Sequence, residues 1–70
     1  MKMELVQQQL QEWGEILITT SGGATFEIHR GDTTFDTANR LIVVKTPKAE
    51  YIIDGDSVEH ITKHYGGKEG

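Results

Sequence analysis

Seventy residues with seven Lys or Arg against eleven Asp or Glu give a formal charge of −4, which opposes nonspecific binding to phosphate backbones. The chain has no cysteine, which excludes a disulfide staple, a thiolate metal ligand and a cysteine nucleophile. One core of this size only just offsets the loss of chain entropy, at ~1.5 kcal/mol per ordered residue, so self-association is the simplest remaining source of stability.

The N-terminal Met1-Lys2-Met3-Glu4 leads into a polar, glutamine-rich stretch. It holds no apolar run long enough for a signal peptide or a membrane span, so the expectation is a cytoplasmic chain without membrane contact. Met3, Val6, Leu10 and Trp13 recur at spacings of three, four and three, which places them on one stripe of an amphipathic helix. Gly14 is its expected C-terminal cap.

From Glu15 the period changes to two. Ile16 and Ile18 alternate with Leu17 and Thr19, and Ser21-Gly22-Gly23 is a tight-turn signal. Beyond it Phe26 and Ile28 share one face and Glu27 and His29 the other, so residues 15–29 are predicted to form a hairpin. Arg30-Gly31-Asp32 reads as a turn or bulge, with residues 33–35 continuing the strand and residues 36–39 forming a loop. Residues 41–45 are the most apolar strand, and Thr46-Pro47-Lys48 turns the chain back into a strand over residues 49–53. Asp54-Gly55-Asp56 ends that strand, with Gly55 supplying a positive φ or a close backbone approach. The apolar runs 41–44 and 51–53 fit strands covered on both faces, a second pointer to self-association.

Residues 57–65 admit two readings. Val58, Ile61 and Tyr65 have helical spacing, Ser57 is a good N-cap, Lys63 and His64 suit a helix C-terminus and Gly66 is a stop signal. A strand of strict period two would put Val58, His60 and Thr62 on one face and Ile61 on the other, so local rules favour the helix. Residues 67–70 read as a solvated tail. The predicted fold is α+β and mainly β. It has an N-terminal amphipathic helix, an antiparallel meander of four strands, then a short helix or a fifth strand. All of it is one domain over residues 1–70, with residues 1–2 and 67–70 flexible.

A helix followed by a bent meander resembles the Sm-like fold, the ring-forming RNA-binding family that includes the bacterial host-factor RNA chaperones. The segment Ile53-Asp54-Gly55-Asp56-Ser57-Val58-Glu59-His60-Ile61 is similar to that family's second motif. Gly23, Phe26 and the loop from Asp36 to Asn39 resemble elements of its first motif, although Ile28 stands where that motif has glycine. A rival resemblance is to the tryptophan RNA-binding attenuation protein family. It is carried by Arg30-Gly31-Asp32-Thr33-Thr34-Phe35, by Leu41, and by Ile61-Thr62-Lys63-His64-Tyr65-Gly66, with a shorter segment between Leu41 and Gly55. Either resemblance implies a strand at residues 57–65. It also implies an RNA site with Asp36, Asn39 and Gly55 near the bases and Arg40 or Lys45 on phosphate. Both families carry a basic residue before the glycine that corresponds to Gly55. This chain has Asp54, whose carboxylate repels phosphate, and in the second resemblance Ile52 replaces another lysine.

Other chemistry is thinly represented. Asp54, Asp56 and Glu59 begin like a calcium loop, but their spacing departs from it and an Asp-Gly-Asp turn accounts for them. His60 and His64 would share one face of a helix, yet without a clear third ligand they read as solvent-exposed histidines. No strained nucleophile turn surrounds Ser57, and Asp54 with His60 forms no recognisable acid and base pair, so no enzymatic activity is expected. The Arg30-Gly31-Asp32 tripeptide is explained by turn chemistry, and Trp13 by the core. The sequence therefore predicts a small interaction or regulatory module, homo-oligomeric, with neither cofactor nor metal and with a protein partner possible. The alternative is a ring-forming RNA binder, disfavoured by the net charge and by Asp54.

Overall fold

The computed structural model describes residues 1–65. The expected stop at Gly66 and the tail at residues 67–70 lie outside them. Helix α1 spans Met3–Trp13 and is followed by β1 (Glu15–Thr20), β2 (Thr25–His29), β3 (Thr33–Asp36), β4 (Leu41–Lys45), β5 (Glu50–Asp54) and β6 (Val58–Thr62). The strands form two antiparallel sheets of three, ordered β2-β1-β6 and β3-β4-β5.

This corrects the expected single meander of four strands. The break falls at residues 30–32. The Asp32 carboxylate accepts the backbone N–H of His29 at 3.0 Å, and the Asp32 carbonyl accepts the N–H of Lys45 at 2.9 Å. The chain therefore leaves the first sheet at His29, and β3 begins a new ladder on β4 rather than extending β2.

Met3, Val6 and Leu10, three of the four residues on the predicted helical stripe, are buried, and Trp13 packs at the margin of the core. Gly14 caps the helix in the left-handed region at φ 94°, its N–H donating to the Leu10 carbonyl. Lys2, at the N-cap, gives no side-chain bond; the Asp56 carboxylate accepts the Met3 N–H at 3.1 Å instead. A carboxylate there satisfies an orphan donor and complements the positive end of the helix.

The hairpin over residues 15–29 forms with Glu15 opposite His29 and Ile18 opposite Phe26. Ile16, Ile18 and Ile28 from the first sheet, Ile42, Val44 and Ile53 from the second, and Val58 join the helix stripe in one core. Phe26 and Tyr51 join the two sheets at its rim, with ring centroids 5.5 Å apart.

Residues 58–62 form a strand, against the helix that local rules favour. Pairing with β1 explains how both apolar residues reach the core. Thr20 faces Val58, Thr19 faces His60 and Ile18 faces Ile61, so Glu59 is an extra residue where the register shifts. A bulge of this kind resets the alternation of faces. Val58 and Ile61 then point inward together, which strict period two forbids.

Candidate functional site

The residues that the RNA-binding resemblance implies lie at two ends of the second sheet. Asp36 and Asn39 close the β3–β4 turn on each other, the Asp36 carboxylate accepting from the Asn39 backbone N–H at 3.1 Å and from its side-chain amide at 3.0 Å. Those bonds hold the Asp36 carboxyl below its ordinary pKa. Arg40 follows in the left-handed region at φ 60°, and its carbonyl accepts the Gly55 N–H at 2.8 Å. Asp36, Asn39, Arg40 and Gly55 are thus brought together. Lys45 stands at the opposite end of β4, opposite Glu50.

Arg40 is engaged on both sides of its fork. It donates to both oxygens of Glu4, and to Asp56 at 3.1 and 2.8 Å. The hydrogen bonds from Arg40 pull Glu4 down to about 2 and lower Asp56, while the two carboxylates raise the guanidinium. Gly55 is there for close approach rather than for a positive φ. A Cβ would stand 2.8 Å from the Arg40 carbonyl oxygen and run into the Met3 sulfur. Asp54 closes its own turn, its carboxylate accepting the Asp56 N–H at 3.0 Å.

A second cluster lies on the outward face of the first sheet. His29 Nδ1 meets the Asp32 carboxylate at 3.0 Å, while its Nε2 lies 3.3 Å from Glu27 and 3.8 Å from Glu15. Partial burial works against the charged imidazole. The Asp32 hydrogen bond and the charges of Asp32, Glu15 and Glu27 outweigh it and raise the His29 pKa. Burial likewise opposes ionisation of Asp32, but hydrogen bonds from Thr33 and from the His29 backbone and ring lower it. Beside the cluster a cleft of about 140 Å³ is lined by Trp13, Leu17, Thr62 and His64 as well as Glu15 and Glu27. Trp13 forms one wall, edge-on to Tyr65 and with the Lys63 ammonium 5.1 Å from its ring centre.

The third feature is the outward face of the second sheet. Ile52 is 64% exposed on β5, directly opposite the half-buried Val43 on β4. Beta5 is an edge strand, as are β2, β3 and β6. His60 and His64, paired only by the helical reading, belong to β6 and to the segment after it.

The His29 cluster was partly written in the sequence, since Glu27 and His29 share a face in any period-two strand. Glu15 joins them only through the hairpin register, and Asp32 through the turn. Among the described residues no helix is long and apolar enough to cross a membrane. Comparison with protein-family models, with curated proteins and with solved structures finds no match.

Proposed function

We propose that this protein is a small, non-enzymatic interaction module that works as a homo-oligomer through the open edge and outward face of β5. The observation that carries this reading is Ile52, a large aliphatic side chain left 64% exposed on an edge strand. Its neighbours Val43 and Leu41 share that outward face, since Val43 pairs with Ile52 and Leu41 with Asp54. Glu50 and Asp54 flank Ile52 on this face, and an unpaired edge that exposes a large aliphatic side chain between charges is a template for pairing with another chain of matching charge. Covering Ile52 with a second copy adds the apolar burial that a chain of 70 residues lacks.

Charge selects the kind of contact. A two-fold pairing of β5 with β5 centred on Ile52 would set Glu50 against Asp54 at both ends, and directly opposed like charges destabilise a ladder. The pairing that fits is heterologous, β5 of one copy against a different edge of the next, which closes into a ring when the rotation allows it.

The protein-partner reading is favoured over RNA binding by Arg40 and Gly55. The guanidinium is already matched by Glu4 and Asp56, and Gly55 lies under Met3. A phosphate would have to displace two carboxylates. Light scattering on the full chain, with RNA titrations across salt concentrations, tests both halves. The expected result is an oligomer that Ile52→Lys dissociates, and no tight RNA binding. A monomeric wild type would overturn the assembly, and submicromolar binding with a steep salt dependence would overturn the choice of partner.

A further inference from the structure

We infer that Glu15, Glu27 and His29 form a binding site for a divalent transition-metal ion of the zinc class, with Asp32 orienting the histidine. The three donors sit on paired strands. Glu15 is the cross-strand partner of His29, and Glu27 precedes His29 by one step on the same outward face. One ligand atom from each, His29 Nε2 and a carboxylate oxygen of each glutamate, all lie within 4.8 Å of one another.

The spacing suits a small ion. Ligand atoms about 2.0–2.1 Å from a tetrahedral zinc stand roughly 3.3–3.5 Å from each other. His29 Nε2 lies 3.3 Å from the Glu27 oxygen and 3.8 Å from the Glu15 oxygen. The three ligand atoms lie within 4.8 Å of one another, so the set closes when the two glutamate carboxylates draw together around the ion.

The histidine is also turned the right way. With Asp32 accepting from Nδ1–H at 3.0 Å, the lone pair of neutral imidazole is left on Nε2, the atom that faces both glutamates. A carboxylate behind a ligating histidine fixes the ring and raises its basicity. Asp32 is itself held by the His29 backbone N–H and by the Thr33 hydroxyl, at 3.0 and 2.7 Å. Imidazole among the donors selects a first-row transition ion over calcium or magnesium, which take oxygen. Glu15 and Glu27 both border the cleft beneath Trp13, which gives water access to an ion held by three protein donors.

None of the three donors lies on β5, the edge from which the assembly proposed above is argued. The test is calorimetric titration of the chelator-treated full chain with Zn2+, paired with Co2+ absorption to read the coordination number. One ion per chain and the intense visible band of four-coordinate Co2+ are expected. His29→Gln and, separately, Glu27→Gln should each weaken binding at least ~10-fold while far-UV circular dichroism stays that of the wild type. Asp32→Asn should weaken it ~10–100-fold without changing the stoichiometry. His60→Gln should bind as the wild type does. No saturable binding at millimolar Zn2+, or binding that His29→Gln leaves intact, would overturn the site. Glu27 is exposed, so its variant keeps the test decisive even where His29→Gln disturbs the turn.

Discussion

Arg40 occupies the left-handed region without being glycine, at φ 60°, a conformation that costs of order 1 kcal/mol for a side chain with a Cβ. What holds it there is the fork it makes with Glu4 on the helix and Asp56 before β6, three segments far apart in the chain. Glu4 falls from 4.5 to about 2 because of the hydrogen bonds from Arg40. A carboxyl depressed on folding stabilises the native state above its unfolded value and loses that contribution as pH falls through the folded one. The expected window is therefore from about 4.5 down to about 2. The melting temperature of the wild type should fall through that range more steeply than that of Arg40→Met. Asp56, lowered by the same guanidinium, adds to the difference in the same direction, while carboxyls that Arg40 does not touch titrate in both proteins and cancel. The contrast should shrink in high salt, because these groups are exposed and screened. Parallel melting curves against pH would show that Arg40 contributes nothing to acid stability. Little of this was legible in advance. Gly55 could be marked as a point of positive φ or of close approach, but sequence separation hid the fact that Met3 and Arg40 are what approach it. Asp54, which decided the sequence reading of the RNA motif, has a local turn to close and is no guide to a ligand.

Secondary structure was read correctly where period and punctuation agreed. The helix stripe, its Gly14 cap, the hairpin over residues 15–29 and the Pro47 turn all have local causes and all form as expected. At residues 57–65 the local signals stay open between a short helix and a fifth strand, with Ser57, Lys63 and His64 tilting them toward the helix. The strand wins through tertiary pairing: β1 offers an open edge, and the extra residue Glu59 lets Val58 and Ile61 both reach the core. Bulges leave no reliable mark in a sequence, so the apparent conflict with period two was the only clue. The geometry has a sharp consequence. Deleting Glu59 should leave a regular ladder with every inward residue still inward, and the variant should keep a cooperative urea transition. Deleting Val43 from the unbulged β4 reverses the faces of the residues beyond it, and that variant should lose the transition. If the Glu59 deletion unfolded the chain as completely as the Val43 deletion, the bulge would not be what sets the register.

At the scale of the molecule, the open question is what covers the second sheet. The first sheet is flanked by α1, which packs on β1 and β6, and the cleft beneath Trp13 lies on its outward side. The second sheet has Ile42, Val44 and Ile53 inward, yet carries Ile52 and Val43 on the other side. The continuous apolar runs that suggested strands covered on both faces correspond to this sheet, one face of which is covered within the chain. If copies of the protein cover the other face, folding and assembly are linked by mass action, and the apparent stability depends on protein concentration. The melting temperature should then rise as the wild-type protein is concentrated. Ile52→Lys places a charge where the neighbouring copy would sit and removes no side chain from the core, so its melting temperature should be lower and independent of concentration. The comparison separates assembly from simple destabilisation. A variant that melts lower but keeps the same concentration dependence would mean that Ile52 lies outside the interface, and a wild type without any dependence would mean that this face is not covered by another copy.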